Sequence, residues 1–249
     1  MKIATLPDGS PEIFRTLQGE GPSIGCPAVF IRLSLCNLHC SWCDTPYTWN
    51  WEGSPWEHQD GIKFSKNSHL QELTPITLSE KLRSFLHLGD RLVITGGEPL
   101  LQQKEIIEML NELREEQSKE PLVEVETNGT QRPLPELDAQ VSQFNVSPKL
   151  ANSNNAADLR IRRNAFEFFA KSPKAFFKFV VTSEKDVDEI LTLQEDFDIP
   201  ATRILLMPEG RTPSAIAERR LQLVDLCLEH GFRLTDRLHV QIWGDERGR

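Results

Sequence analysis

The sequence lacks a targeting or membrane signal near its start. The first ten residues, MKIATLPDGS, have no apolar core, and the longest early hydrophobic run, AVFIRLSL at 28–35, is short and broken by Arg32. Neither a signal peptide nor a membrane partner is expected, and the expected location is cytoplasmic. Basic residues are in deficit: 28 Lys and Arg against 37 Asp and Glu leave a net charge of -9 and a pI near 5.3. That balance argues against nucleic acid as the main partner, because a phosphate backbone needs a basic face, although a local basic pocket stays compatible with it. Internal repeats, low-complexity tracts and composition breaks are also missing. One domain over residues 1–249 is therefore expected, with an irregular insert at about 50–75. Cysteine is scarce, five residues in all, and an odd number with three clustered, in the reducing compartment expected, reads as metal or redox chemistry rather than a disulfide framework.

What is present is an alternation of strand-like and helix-like segments. Apolar, β-branched runs fall at 28–35, 91–95, 122–127, 143–147, 175–182 and 203–207, with a seventh, RLHVQIW, near the C-terminus. Between them Leu78, Leu82, Phe85 and Leu86 share a helical face, which Thr77 and Glu80 open as a capping box and Gly89 ends. Ile106, Ile107, Leu110 and Leu113 form the next stripe. Ala165, Phe168 and Phe169 form a third, and Val187, Ile190 and Leu191, capped by Ser183 and Asp186, a fourth. Thr212-Pro213 opens a fifth helix that stops at Gly231. Such an alternation makes parallel β/α units, either closed into a barrel or opened into a doubly wound sheet, with ligands at the strands' C-terminal ends. The unusual residues sit at those ends: the cysteine loop, then GGEP, NGT, PK and PEG. Residues 50–75 have no clear period and bring Trp56 near Trp49 and Trp51, as a lid or mobile insertion would.

Three of the five cysteines, Cys36, Cys40 and Cys43, fall within eight residues as C-x3-C-x2-C. A zinc site with His39 or Cys26 as fourth ligand is one reading. Its difficulty is that His39 adjoins Cys40, and neighbouring residues do not easily reach one ion. The other reading is a [4Fe-4S] cube in which three thiolates hold three irons and the fourth iron is open to an exogenous ligand. Spacing alone leaves both open. Cys26 and Cys227 need no metal role, and Cys227 lies on the apolar face of the last long helix.

The cysteine motif with Trp42 before its last cysteine, on the loop after the first strand, followed by TGGEP at 95–99 after the second, resembles the radical S-adenosylmethionine superfamily. The resemblance implies an α/β fold, a partial (β/α)6-type TIM barrel. It also implies a [4Fe-4S] cluster on Cys36, Cys40 and Cys43, with S-adenosyl-L-methionine chelating the open iron. Trp42, Cys43, Asp44, Gly97, Ser147, Pro148 and Lys149 would contact that cofactor. Gly96 and Gly97 are expected to let the backbone approach a ligand with no Cβ between.

Within the superfamily the chain is similar to the 7-carboxy-7-deazaguanine synthase family, through FRTLQGEGPSIGCPAVFIRLSLCNLHCSWCDT, TGGEP, ETNGT, NVSPK and HVQIWGDERG. Those enzymes convert 6-carboxy-5,6,7,8-tetrahydropterin to 7-carboxy-7-deazaguanine with loss of ammonia, in the biosynthesis of queuosine and other 7-deazapurines. By resemblance, Leu17, Gln18, Gly19 and Glu20 read the pterin's polar edge, Arg32 pairs with its carboxylate, and Thr95 and His239 add contacts. The residue types suit the roles. A guanidinium fork matches a carboxylate, and Gln with Glu supplies the donor and acceptor mix that an aminopyrimidinone requires. Thr45 matches the family's magnesium position. One neutral hydroxyl is a poor Mg²⁺ site alone, so water and substrate oxygens would have to complete it. The family also implies a small-molecule substrate, an electron donor such as flavodoxin or ferredoxin, and a homodimer. Two other functions stay in view: an activase acting on a glycyl-radical protein, and a non-enzymatic zinc module.

Overall fold

The computed structural model describes residues 1–115 and 121–249. Its strands are β1 (Lys2–Ala4), β2 (Ile13–Leu17), β3 (Pro27–Leu33), β4 (Leu70–Glu72), β5 (Arg91–Gly96), β6 (Leu122–Thr127), β7 (Gln143–Val146), β8 (Ala175–Val181), β9 (Ile204–Pro208) and β10 (Arg233–Leu234). The helices are α1 (Lys66–His69), α2 (Pro75–Phe85), α3 (Gln103–Glu115), α4 (Pro135–Gln140), α5 (Ala157–Arg160), α6 (Arg163–Lys171), α7 (Lys185–Phe197), α8 (Pro213–His230) and α9 (Leu238–Trp243). All strands belong to one sheet, ordered β10-β9-β8-β7-β6-β5-β3-β1-β4, with β2 paired to β3 beside this path. The run from β3 through β9 is parallel, and β1, β2 and β4 add antiparallel pairs at its first edge. Six β/α units in an open curve make the expected partial barrel.

Alternation along the strands explains the two faces. Val29, Ile31 and Leu33 on β3, Val123 and Val125 on β6, and Phe177 and Phe179 on β8 belong to one continuous core with the helices. The helical stripes complete it: Leu78 and Leu82, then Ile106, Met109, Leu110 and Leu113, then Phe166 and Phe169. Phe144, Phe166, Phe169, Phe177 and Phe179 are its largest fully buried side chains, and truncating any of them to alanine costs about 3–5 kcal/mol. The intervening positions carry Arg32, Thr95, Glu124, Glu126, Asn145 and Lys178. Ala28, Phe30 and Val93 share that face, so the barrel interior mixes apolar and charged side chains, and its charges must be paired.

The structure corrects several expectations. Helix α2 is capped by Thr74, whose hydroxyl accepts the Thr77 N–H, with Pro75 in the first turn, so the capping-box reading set the start three residues late. The run RLHVQIW is not a strand: Leu238–Trp243 form α9. Six residues are too few for a two-residue period to be decisive, and Arg237 and Leu238 are anchored in the lumen instead. The insert is more ordered than its lack of period suggested, since it contributes α1 and β4 and bridges Trp51 to Phe64. Elsewhere the expected helices stand, including α8 between the Thr212 cap and left-handed Gly231, but α2 closes at Leu86 rather than Gly89, and the N-cap of α7 is Glu184, with no side-chain cap bond, rather than Ser183.

Candidate active site

The C-terminal ends of the parallel strands surround one cavity. It is lined by Cys36, Cys40, Cys43, Trp42, Asp44, Thr45, Thr95, Gly97, Ser147 and Lys149 on the cysteine side, and by Leu17, Gln18, Gly19, Glu20, Arg32 and His239 on the other. Of the residues that the resemblance assigns to cofactor, substrate or metal, Pro148 alone does not line it; it is buried in the turn that presents its two neighbours.

The cysteine loop begins with a strained residue. Leu35 is left-handed at φ 77°, held there by its N–H to the Thr48 carbonyl at 3.0 Å and by the Glu98 N–H on its own carbonyl at 2.8 Å. That turn aims Cys36 into the cavity. Each thiol then has a nitrogen donor: the Leu38 N–H on Cys36 at 3.5 Å, the Asn155 amide on Cys40 at 3.4 Å, and the Trp49 indole on Cys43 at 3.4 Å. Burial pushes all three thiols up, Cys40 to about 12, so the thiolates that iron requires would form only with the metal's charge beside them. Among the described residues no three His, Cys, Asp or Glu side chains converge on a single ion, and neither His39 nor Cys26 lines the cavity. Three donor-supported thiols facing one space, with neither candidate fourth zinc ligand on it, fit a cluster with one open iron.

The GGE turn locks onto this loop. A Cβ on Gly96 would lie 2.0 Å from the Leu33 carbonyl oxygen, and one on Gly97 2.1 Å from that of Leu35 and 3.0 Å from Cys36 Cβ. The glycines are needed for backbone meeting backbone, a requirement that sequence did not show, and both also border the cavity. Glu98 is fully buried and accepts from Leu100 N–H, Thr127 hydroxyl and Asn128 N–H at 2.9, 2.8 and 2.7 Å, joining two strand ends.

Across the cavity the charged residues are paired among themselves. Arg32 donates through Nε to Glu12 at 2.8 Å, and Glu12 is also bonded by Tyr47 and Arg247 at 3.1 and 2.8 Å. Glu20 is held by Lys178, by Arg237 Nε at 3.0 Å, and lies 3.9 Å from His239 Nε2. Burial alone would raise the Glu20 carboxyl, but those cations outweigh it and hold it well below the usual carboxylate range. Burial pushes the His239 imidazole down despite Glu20 nearby, favouring its neutral form. Arg237 reaches further: it also bonds Asp44, the residue after Cys43, and the Gly210 carbonyl at 2.6 Å. Gly19 is pressed on His239, whose Nδ1 lies 2.2 Å from where a Cβ would stand.

Glu126, Lys178, Arg237, Trp49, Asn155 and Glu12 belong to this arrangement and were not found by sequence reasoning. Two carried a usable signal. Lys178 sits inside AFFKFVV and Glu126 inside LVEVET, charges in otherwise apolar strands that need partners as Arg32 does. Glu126 accepts from the Thr95 hydroxyl at 2.7 Å and from the Gln18 amide at 3.3 Å.

Comparison with known proteins bears on the same residues. Residues 31–180 match the radical SAM superfamily. The chain is 38% identical over 239 residues to the 7-carboxy-7-deazaguanine synthase of Pyrobaculum aerophilum, covering 96% of each. It is 34% identical to that of Halobacterium salinarum, covering 94% of this chain and 90% of the relative. The crystal structure of QueE from Escherichia coli superposes with a TM-score of 0.60 at 26% identity, covering 96% of this chain and 95% of that one. Barrel, thiol triad and sequence agree on a radical S-adenosylmethionine enzyme, with a [4Fe-4S] cluster and S-adenosylmethionine as its cofactors. Near-full-length similarity narrows this further, and the chain belongs to the 7-carboxy-7-deazaguanine synthase family.

Proposed function

We propose that the chain converts 6-carboxy-5,6,7,8-tetrahydropterin to 7-carboxy-7-deazaguanine and ammonia, with the residues around the cavity in the following roles. The observation that carries this reading is the enclosure of a thiol triad and a carboxylate-matching guanidinium, Arg32, in one cavity. Cys36, Cys40 and Cys43 hold the cluster; Trp42, Asp44, Gly97, Ser147 and Lys149 surround S-adenosylmethionine. When bound, the two cofactors supply a radical that removes a hydrogen atom from C6 of the substrate. The chain itself positions the substrate and excludes water.

Arg32 is pre-aimed for its task. Its Nε is anchored on Glu12, and the guanidinium still borders the cavity, where the substrate carboxylate would meet it. Gln18, Glu20 and Thr95 present acceptors and donors to the aminopyrimidinone, and His239 closes the far side in its neutral form. Lys149 lies 5.6 Å from the centre of the Trp42 ring and donates to Ser147 at 2.9 Å, which fixes the face offered to the adenine. Thr45 is the magnesium ligand in this reading. Its hydroxyl is 3.7 Å from Cys43 Sγ, and with no carboxylate triad beside it, water and substrate oxygens complete the ion's shell. A homodimer, an electron carrier as partner, and a cytoplasmic location complete the proposal. Among the described residues no helix is long and apolar enough to cross a membrane.

The test uses Arg32→Gln with the carboxylated pterin and its decarboxylated analogue. The wild type should prefer the carboxylated ligand by about tenfold or more, as a charge-assisted pair warrants, and the variant should lose that preference. A variant that keeps it would refute the assignment.

A further inference from the structure

Two side chains from outside the C-x3-C-x2-C motif reach its sulfurs, and the proposed reaction gives neither of them a task. Asn155, on the loop between β7 and α5, donates its amide Nδ2 to Cys40 Sγ at 3.4 Å. Trp49, 4% exposed, donates its indole N–H to Cys43 Sγ at 3.4 Å. Cys36 is served instead by a backbone donor, the Leu38 N–H at 3.5 Å.

The direction of both bonds is fixed by chemistry, whether or not the sulfur carries a proton. An indole nitrogen can only donate. An asparagine amide could face either way, and here its neighbour decides: the Asn155 side-chain oxygen accepts the His39 backbone N–H at 2.9 Å, so the nitrogen must face Cys40. Its two hydrogens divide between that sulfur and Ser153, whose Oγ and carbonyl lie at 3.1 and 3.3 Å. The surrounding turn is braced. Asn154 is left-handed at φ 62°, the Asn155 carbonyl accepts from the buried Arg160 at 3.2 Å, and the Ser153 carbonyl accepts the Ser41 N–H at 3.1 Å. Trp49 is packed edge to face against His39, with ring centroids 5.0 Å apart. Both dipoles therefore point at sulfur before any electron arrives.

We propose that Asn155 and Trp49 are positioning residues for electron uptake: acting through Cys40 and Cys43, they raise the reduction potential of the cluster. The added electron spreads over iron and sulfur and makes the sulfurs more negative. An N–H aimed at them then stabilises the reduced form more than the oxidised one, and burial strengthens the effect because little water competes for the sulfur. The electron comes from the one-electron reductant that the family's reaction already requires, and no bond forms or breaks in this chain. The side chains that orient the two donors, Ser153 and His39, act one step further from the cluster, as the outer partners of metal ligands do. The inference rests on the proposal above that Cys36, Cys40 and Cys43 hold the cluster.

The experiment titrates full-length protein, its cluster reconstituted without oxygen, against redox mediators while the cluster absorption and iron content are followed. Trp49→Phe keeps a ring and removes the donor; Asn155→Ala removes the amide. Each should shift the equilibrium toward the oxidised cluster by about threefold or more, which lowers the midpoint by about 30 mV at about 59 mV per tenfold for a one-electron couple. The double variant should fall by roughly the sum, since the donors serve different sulfurs. Trp56→Phe, at a ring stacked on His39 with no bond to sulfur, should titrate like the wild type. A Trp49→Phe midpoint equal to or above that of the wild type would overturn the proposal. So would variants that hold less iron yet titrate, cluster for cluster, like the wild type, because the contacts would then be structural only. If Asn155→Ala assembles no cluster, pulsed EPR of the reduced wild type, labelled with heavy nitrogen at its asparagine side chains, decides that half: a nitrogen coupling supports it and the absence of one overturns it. A wild-type chain that assembles no cluster would overturn the underlying assignment instead, and that is visible before any titration begins.

Discussion

Arg237 ties three loops together, and its removal should be felt in stability and in substrate binding. The side chain is 6% exposed and bonds Glu20 at 3.0 Å, Gly210 at 2.6 Å, and Asp44. Breaking a buried ion pair from one side costs about 3–5 kcal/mol, since the remaining charge is left without its partner. The lower end applies here. Glu20 keeps Lys178, and Asp44, 42% exposed, regains water and contributes little once screening is counted. A loss near 3 kcal/mol at roughly 2–4 °C per kcal/mol predicts that Arg237→Ala lowers Tm by about 6–12 °C. Arg237→Lys should fall between, because one ammonium cannot make the three-way fork. Tryptophan fluorescence during anaerobic heating of the reconstituted protein reads the shift, and titration with the pterin reads the accompanying loss of affinity. A Tm change under about 2 °C, less than a single kcal/mol, would show that the clamp carries no strain-bearing role.

The other predictions concern the loop contacts and the cluster. Gly97→Ala places a Cβ 2.1 Å from the Leu35 carbonyl, so the cysteine loop must move; iron content after reconstitution should drop well below wild type, and an unchanged content would contradict the close-approach reading. Glu20 is depressed below its ordinary 4.5, so its ionised form contributes stability at neutral pH that is lost as pH falls below that value toward the folded-state one. The stability gap between wild type and Glu20→Gln, taken from urea midpoints, should therefore be largest near pH 7 and narrow toward pH 3.5, and a constant gap would refute the charge argument. Cys40→Ala should lose cluster and turnover together. Calorimetry should find Mg²⁺ bound only when substrate is present, and tight binding to the substrate-free protein would exclude Thr45 as the anchor of a shared site.

The parallel core was legible because its strands read as largely apolar, β-branched runs of strand length, RLVIT and AFFKFVV among them, despite single charges such as Lys178. Caps and stops such as Thr212 and Gly231 were legible as local chemistry. The cavity's cofactor half was legible too, since its residues lie in contiguous motifs at strand ends. Less visible was whatever depends on distant segments meeting. Arg237 has no local signal at all, for its meaning comes from Glu20 and Asp44, 217 and 193 residues away in sequence. The same holds for Asn155, which reaches Cys40 from a separate loop 115 residues on. Helix α9 was mistaken for a strand because Leu238, Val240 and Ile242 alternate over a segment too short to separate a period of two from one of 3.6. The GGE glycines were located correctly, but one reason for them was out of sight. Sequence shows that a Cβ is missing, but only the fold shows that it would strike Leu33 and Leu35.

The most direct test of the account is a product assay. The chain, with its cluster reconstituted anaerobically, is supplied with S-adenosylmethionine, reductant, Mg²⁺ and 6-carboxy-5,6,7,8-tetrahydropterin, and the mixture is resolved by mass spectrometry with ammonia measured alongside. The account predicts 7-carboxy-7-deazaguanine and ammonia in equal amounts, with neither formed by Cys40→Ala. Cofactor cleavage without consumption of the pterin would contradict it.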